Sequence, residues 1–449
     1  MILSPDDPIA ALATPLASSA LAVIRVSGPG CLQLLGKLAK GARPPAEQRR
    51  NRVSRFTICD GDEEVDEVML AVYRAPRSYT GQDSAEITCH GSIPVIQRLL
   101  SLLTRIGFRP AGPGEFTQRA FLNGRMDLTR AEAVNEIVRA RTDRARALAL
   151  QRLSGAIESR IGAAREGLVE LRAGLEAAID YPEDVHDGDI LDRGILDRVI
   201  ALLQGLTSTY RQGRVYQEGV AVAIAGATNS GKSSLFNAML RQDRAIVSET
   251  HGTTRDWIEG TVNLEGIPVR LFDTAGLRET RDPLEAEGIR RTQQVLAGSD
   301  LVVYLVDSTR GLDAADENLL ARPVGTVVIR AWNKVDLPEA RPAPPGFIAI
   351  SATTGVGLPD LEAAVALSAL GGAPLDSGEP LIDSVRQRDL ISRALAALGR
   401  LREGRERGVA ADLLAVDLAD AMQALGEITG EVTTAEILDR MFASFCVGK

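Results

Sequence analysis

The 449-residue chain is poor in cysteine, with four residues at 31, 59, 89 and 446 and no C-x-x-C pair among them. This spacing excludes a disulfide framework and a clustered zinc site, so free thiols are expected. No apolar stretch reaches the length needed to span a bilayer. The opening residues, Met1-Ile-Leu-Ser-Pro-Asp-Asp7, lack a basic region followed by an apolar one, so no secretory signal is visible and a cytoplasmic location is expected. Positive charge is not in excess either, since the formal net charge is -9. A uniformly basic nucleic-acid binder is disfavoured, while a local basic face on an acidic body is not.

The rest of the composition is ordinary for a globular protein, with 25% charged and 45% hydrophobic residues, and the length suits two or three domains. Two segments are locally basic. Arg139 to Arg165 holds seven arginines against Asp143 and Glu158, and Arg386 to Arg407 holds seven against Asp389, Glu403 and Glu406. Both solvated helix faces and contacts to RNA phosphates fit that pattern. The acidic group Asp180, Glu183, Asp184, His186, Asp187 and Asp189 shows no recurring ligand spacing and reads as a solvated loop rather than a metal site.

Residues 1–118 mix strands at Ala22–Ser27, Arg52–Cys59, Glu67–Tyr73 and Ala85–Gly91 with an amphipathic helix over Cys31–Lys40 and a second over Ile93–Ile106. This predicts an α+β domain closed by the turn-rich Arg109-Pro-Ala-Gly-Pro-Gly114. From Thr117 to about Asp180 the pattern is helical, and it resumes from Ile190 to Tyr210. Residues 219 to about 370 alternate strand and helix, with a hairpin from Trp257 to Phe272 turning at Glu265-Gly266 and a helix over Pro283–Leu296. That alternation predicts a mostly parallel sheet covered on both faces. After the linker Gly371–Pro380 the chain is helical again, and the flanking helical segments would pack together if the α/β unit were an insertion.

The chemistry concentrates in Gly226-Ala-Thr-Asn-Ser-Gly-Lys-Ser233, set between the apolar run Val220–Ala225 and Leu235-Phe-Asn-Ala-Met-Leu240. Strand, glycine loop and helix in that order cradle phosphates on backbone N–H groups. Asn229, Ser230, Gly231, Lys232, Ser233 and Ser234 are the expected contacts, with Lys232 neutralising the terminal phosphoryl oxygens and the Ser233 hydroxyl facing magnesium. Asp273-Thr274-Ala275-Gly276 follows a strand, placing a carboxylate near the magnesium shell and the Gly276 N–H near the γ-phosphate. Asn333-Lys334-Val335-Asp336 supplies the Asp336 acceptor for the guanine N1 and N2 donors, and Ser351-Ala352 closes over the base. Together these predict GTP as the nucleotide. The position after Gly276 that holds a water-orienting glutamine in Ras-type enzymes is Leu277, which does no polar work, so another device must stabilise the transition state.

With Asn229 and the loop Ser248-Glu-Thr-His-Gly-Thr-Thr-Arg-Asp256, the sequence resembles the potassium-dependent GTPases. The wider resemblance is to the MnmE/TrmE family of tRNA modification GTPases. It is carried by Arg25-Val-Ser-Gly28, Pro76-Arg-Ser-Tyr-Thr-Gly81, Gly114-Glu-Phe-Thr-Gln-Arg-Ala-Phe-Leu-Asn-Gly-Arg-Met-Asp-Leu128, the inserted G domain and the terminal Phe445-Cys-Val-Gly-Lys449. The resemblance implies a multidomain protein. Its parts are an N-terminal α+β folate-binding and dimerisation domain (1–118), a discontinuous α-helical domain (119–215 and 376–449) and an inserted α/β Ras-like P-loop GTPase domain (216–375).

It further implies K+ held by Asn229 and the segment with Ser248, Thr250 and Thr253, and Mg2+ held by Ser233 and Thr254, with Ser248, Thr253 and Thr254 also at the nucleotide. Glu285 would orient the attacking water. Cys446 would be a functional thiol, weighed here against a buried inert one and against a prenylation box that Gly448 and Lys449 fit poorly. A one-carbon tetrahydrofolate, in the 5-formyl or 5,10-methylene form, would sit at Arg25, Glu86, Arg125 and Lys449. The implied partners are tRNA, a second copy of the chain, and an FAD-dependent subunit of the MnmG/GidA type in a heterotetramer, acting on the wobble uridine. Two departures stand out: Arg125 replaces a lysine common in the family, and Leu16-Ala-Ser-Ser-Ala20 replaces a glycine-rich segment. Cys89 and His90 are adjacent on a predicted strand and so point to opposite faces, which argues against a catalytic dyad. A ribosome-assembly or regulatory GTPase would share the G domain and need neither Cys446 nor a folate domain.

Overall fold

The computed structural model describes residues 6–49, 51–181, 192–241, 259–273, 298–321, 326–372 and 380–449. The chain forms two compact units, one of residues 1–135 with 419–449 and one of residues 136–418.

The first unit is built on a sheet of β1 (Ile9–Leu12), β2 (Leu21–Ser27), β3 (Ala39–Lys40), β4 (Arg52–Asp60), β5 (Glu63–Tyr73), β6 (Ser84–His90) and β7 (Arg109–Pro110), in the order β3-β4-β5-β6-β2-β1-β7. Alternation decides its faces: Ala22, Ile24 and Val26 of β2 and Ala85, Ile87 and Cys89 of β6 are buried in one core. Of its helices, α1 (Cys31–Leu35) is short and α2 (Ile93–Ile106) adds Ile96, Leu99, Leu102 and Leu103 to that core. Ser92 caps α2 by accepting from the Val95 N–H, Pro94 sits in its first turn, and Gly107 ends it at φ 115. Helices α3 (Glu115–Leu122) and α4 (Leu128–Arg139) follow.

Three expectations need correction in this unit. The helix expected over Cys31–Lys40 stops at Leu35, because after a turn Ala39 and Lys40 form an edge strand paired with Ile58 and Thr57. The turn-rich Arg109-Pro110 is a strand, parallel to the unanticipated β1. The long helical stretch from 117 onward is broken at Asn123-Gly124 and, in the second unit, at Thr142, which caps the next helix, and at Gly155, with φ 96.

In the second unit, α5 (Asp143–Leu153), α6 (Ala156–Asp180), α7 (Arg193–Ser208) and α8 (Tyr210–Glu218) precede a sheet of β8 (Val220–Gly226), β9 (Glu259–Leu264), β10 (Ile267–Asp273), β11 (Leu301–Asp307), β12 (Val327–Asn333) and β13 (Ile348–Ala349). Its order is β13-β12-β11-β8-β10-β9, parallel except for β9. β8 is central and buried from Val220 to Ala225, which is why its sequence is a continuous apolar run. Helices α9 (Lys232–Arg241), α10 (Ala314–Ala321) and α11 (Leu358–Ala369) belong to the same α/β body, and α12 (Val385–Glu406) comes after it. The hairpin turns at Glu265-Gly266 as expected, with φ 50 and 85, the left-handed pair of a tight type I′ connection.

The chain returns to the first unit within α13 (Ala411–Thr429) and ends with α14 (Ala435–Phe442), so the expected segment 376–449 is shared between the units. Leu438, Phe442 and Phe445 pack with Leu128 and Ala131, and Val447 bridges Pro113. The expected helix over 283–296 and the acidic group 183–189 lie outside the described residues. Among those described, no helix is long and apolar enough to cross a membrane.

Candidate functional site

In a parallel sheet the carboxyl ends of the strands share one edge, and ligands bind where neighbouring connections diverge. Here β8 lies between β10 and β11, and Gly226, Asp273, Asp307 and Asn333 close four successive strands. Register staggers the ends, with Asp273 opposite Ile224 and Leu305 opposite Gly226, while Asp307 stands opposite Asn333.

The loop from Gly226 to Ser233 is shaped by close approach. A Cβ on Gly226, at φ 144, would stand 2.3 Å from the Leu305 carbonyl oxygen, and one on Gly231, at φ 98, would stand 2.2 Å from Asn333 Nδ2. Only glycine fits either place. Asn333 is buried and ties the glycine loop to the Ser351-Ala352 turn: its Nδ2 donates to the Ser230 carbonyl at 2.8 Å, and its Oδ1 accepts from the Ala352 N–H at 3.1 Å. Lys232 is buried with its ammonium donating to the Gly226 and Ala227 carbonyls at 3.2 and 2.8 Å, which holds the charge within the loop. The Ser230 hydroxyl is a buried oxygen with no partner among the described atoms. Asn229, Ser233 and Ser234 are exposed at the mouth, Asn229 in the left-handed region at φ 63.

On the base side Lys334, also left-handed at φ 66, donates to Asp307 at 2.6 Å. Burial raises the Asp307 carboxyl, but hydrogen bonds from Lys334 and from the hydroxyl and N–H of Thr309 outweigh it and hold it below its ordinary value. Asp336 is exposed in the following turn, and Ser351 is buried with its hydroxyl accepting from the Thr354 N–H at 3.1 Å. The sequence reading missed Asp307. Its signal was a carboxylate ending an apolar strand beside the one that ends in Asn333. Ser248, Thr250, Thr253, Thr254, Thr274, Ala275, Gly276 and Glu285 lie outside the described residues, as does the side chain of Asp273.

A second site lies in the first unit. A cavity of about 210 Å³ is lined by Arg25, Tyr73, Tyr79, Thr80, Glu86 and Phe116, among others. Arg25 and Glu86 face each other across β2 and β6 and form an ion pair at 2.8 Å. Arg25 also lies over the Tyr79 and Phe116 rings, 5.6 and 5.7 Å from their centroids, and donates to the Gly448 carbonyl at 3.1 Å. The terminal segment is fastened there by further hydrogen bonds, from the Gly114 N–H to the Cys446 carbonyl and from the Phe116 N–H to the Lys449 carbonyl, both 3.2 Å. Arg25 and Glu86 therefore meet at the cavity, and the Lys449 backbone is fastened to Phe116 of its wall. Arg125 is exposed, packs beside Gly81 and is not part of the cavity wall.

The cysteines separate by environment. Burial, reinforced by the nearby Asp83 charge, pushes the Cys31 thiol up to about 12, and burial with Asp66 pushes Cys89 up to about 11. Those thiols are inert near neutrality, whereas Cys446 is exposed, which excludes the buried alternative for it. Cys89 points into the core while His90 faces outward and pairs with Asp66 at 2.6 Å, so the two form no dyad.

Known proteins agree along the whole length. Residues 8–125 match the family model described as GTP-binding protein TrmE N-terminus, and residues 128–446 match the MnmE helical domain. The chain belongs to the MnmE family of tRNA modification GTPases.

The tRNA modification GTPase MnmE of Moorella thermoacetica is 42% identical over 99% of this chain and 100% of its own length. That of Aquifex aeolicus is 40% identical over 99% and 100%. As a member of the MnmE family the chain is a GTP-hydrolysing enzyme of tRNA modification, with an N-terminal TrmE-type domain, a helical domain and a P-loop GTPase fold. The aromatic wall at Tyr73, Tyr79 and Phe116 escaped the sequence reading because these residues come from separate elements. Tyr79 and Phe116 lie within stretches that carry the MnmE resemblance, and Tyr73 ends a strand.

Proposed function

We propose that this chain hydrolyses GTP with potassium serving where an arginine finger otherwise would, and that hydrolysis is coupled to placing an aminomethyl-type group on carbon 5 of the tRNA wobble uridine, U34. The observation that carries this reading is the double engagement of Arg25, which pairs with Glu86 at the cavity and holds the Gly448 carbonyl of the tail that bears Cys446. A regulatory GTPase has no use for an exposed thiol on a tail fastened to the wall of such a cavity.

The residue types suit the groups proposed for them. Lys232 and the loop N–H groups hold the phosphates, the Ser233 hydroxyl and Thr254 hold Mg2+, and Asp336 accepts from guanine. Asn229, at the mouth of the loop, is the potassium ligand, with Ser248, Thr250 and Thr253 contributing from the following segment, and Glu285 orients water. At about 210 Å³ the second cavity is smaller than the roughly 300–1,000 Å³ of a pocket that encloses a drug-sized ligand, so it takes a head group and leaves a tail outside. A tetrahydrofolate suits that division: Glu86 accepts from pterin donors, the Tyr79 and Phe116 rings flank the head group, and Arg125 and Lys449 meet the glutamate tail. A folate held there would supply a one-carbon unit; Arg25 would orient its head group, and the Cys446 thiol would serve as a nucleophile.

An FAD-dependent partner subunit of the MnmG/GidA type in a heterotetramer, a homodimer, a cytoplasmic location and the four-part division at 118, 215 and 375 belong to the same proposal. Complementation of a strain that lacks wobble-uridine modification tests it by nucleoside analysis. Wild type restores the modified nucleoside, while Cys446→Ser and Glu285→Ala do not. Failure of the wild type with its partner present would overturn the reading.

A further inference from the structure

A concavity of about 740 Å³ opens on the first unit, and none of its walls belongs to either candidate site. Lys40, Arg43, Arg49, Arg52 and Arg55 line it, with Glu67 as the one acid among the lining residues. Glu67 pairs with Arg55 at 3.2 Å, both side chains being exposed, and Lys40 donates to the Gly61 carbonyl. Among the described residues, no carboxylate lies within ion-pair distance of Arg43, Arg49 or Arg52. On a chain of net charge -9 this is a local reversal of sign.

The trough has a defined shape. β3 contributes only Ala39 and Lys40 to the sheet, opposite Ile58 and Thr57, so the β4 edge from Arg52 to Phe56 has no strand beside it among the described residues. The segment before β4 is tied down instead, because Ser54 Oγ donates to Gln48 Oε1 at 3.2 Å and Gln48 Nε2 donates to the Arg43 carbonyl at 3.0 Å. A Cβ on Gly41 would come within 2.6 Å of the Phe56 ring, so the floor requires glycine.

The two arginine-rich segments that stand out in the sequence do not offer the same surface. Arg152 is buried against Glu136 and Asp383, Arg146 pairs with Asp143, Arg388 with Asp389 and Arg400 with Asp417. We propose that the trough on the β3–β4 edge takes the phosphate backbone of tRNA, an inference that rests on the family's action on tRNA. Guanidinium forks match phosphate oxygens two at a time, and a wall without exposed aromatic rings reads backbone rather than stacked bases.

The full-length protein is titrated with an unmodified tRNA transcript bearing a wobble uridine, by fluorescence anisotropy across a salt series. Arg43→Glu/Arg49→Glu/Arg52→Glu is expected to weaken binding about tenfold or more at low salt. It also flattens the dependence of log affinity on log salt by about 0.7–0.9 for each phosphate that the variant no longer neutralises. Arg43→Lys/Arg49→Lys/Arg52→Lys keeps most of the affinity. Because glutamate leaves the strand edge charged, a role limited to blunting edge-to-edge association leaves tRNA binding unchanged in the glutamate variant, and that result overturns the inference. Unchanged RNA affinity with loss of a protein partner overturns it too. If the wild type binds and the variant binds equally, only the trough assignment fails; if the wild type does not bind tRNA, the tRNA reading falls with it. Thermal unfolding and GTP hydrolysis matching the wild type show that the triple variant is folded, and single Arg49→Glu and Arg52→Glu variants carry the test if it is not.

Discussion

Asn333 shows how one side chain can join two functions. It fixes the phosphate loop through the Ser230 carbonyl and the base-side loop through the Ala352 N–H, and Gly231 is the residue that makes room for it. Gly231→Ala therefore forces both strain at φ 98 and a collision with Asn333. We expect a stability loss of about 1–3 kcal/mol and at least a tenfold loss of GTP-analogue affinity, read by thermal unfolding and fluorescence titration. Asn229 is a different kind of residue, exposed and free of packing duties. GTP hydrolysis should be faster in potassium than in sodium, and Asn229→Gly, which keeps the left-handed backbone, should erase the difference with little change in melting temperature; equal wild-type rates in both salts, by phosphate release, would remove the potassium role. The phosphate loop and the Asn333-Lys-Val-Asp336 turn were legible in the sequence because they are local patterns, whereas the double contact of Asn333 was not. Asp307, Tyr79 and Phe116 were not, since their meaning depends on residues brought alongside by the sheet or by the terminal tail.

At the scale of elements, buried ion networks were the main surprise. Glu115, at the start of α3, is 1% exposed and takes hydrogen bonds from Arg109, Arg119 and the Gly112 N–H, with Arg119 itself 2% exposed. Burial alone would raise the Glu115 carboxyl, but those donors together bring it below its ordinary value. A carboxyl lowered by folding contributes stability that is complete above its unfolded value and fades as pH falls through the lowered one. Glu115→Gln removes the buried carboxylate that Arg109 and Arg119 share and should lose about 3–5 kcal/mol at neutral pH, with the gap to wild type narrowing in acid, as read from urea midpoints across a pH series. In the sequence such arginines look like surface charge. Arg152 sits in a basic run, yet it is buried and joins Glu136 to Asp383 across a large separation in the chain. The central strands and α2 were legible from periodicity, whereas two-residue strands such as β3 and β7 carry no pattern of their own.

At the scale of the molecule, the two sites draw on different units. Every described nucleotide-site residue lies within 136–418, and every cavity residue lies within 1–135 or 419–449. Removal of residues 446–449 takes away the acceptors for the Gly114 and Phe116 N–H groups and for Arg25. We expect at least a tenfold loss of 5-formyltetrahydrofolate affinity in calorimetric titration, from about 1 kcal/mol for each hydrogen bond removed, with GTP-analogue affinity unchanged.

The β9–β10 hairpin connects two distant parts of its unit. One end of β10 is Asp273, at the nucleotide edge of the sheet, and the other is the tight turn at Glu265-Gly266. Thr142, the cap of α5, donates to the Gly266 carbonyl at 2.7 Å, and Arg144 packs so closely on Gly266 that a Cβ there would stand 2.7 Å away. Seven residues of strand span roughly 23 Å at about 3.3 Å each, so one continuous strand, paired along its length with β8 and β9, joins the carboxyl edge of the sheet to the cap of α5.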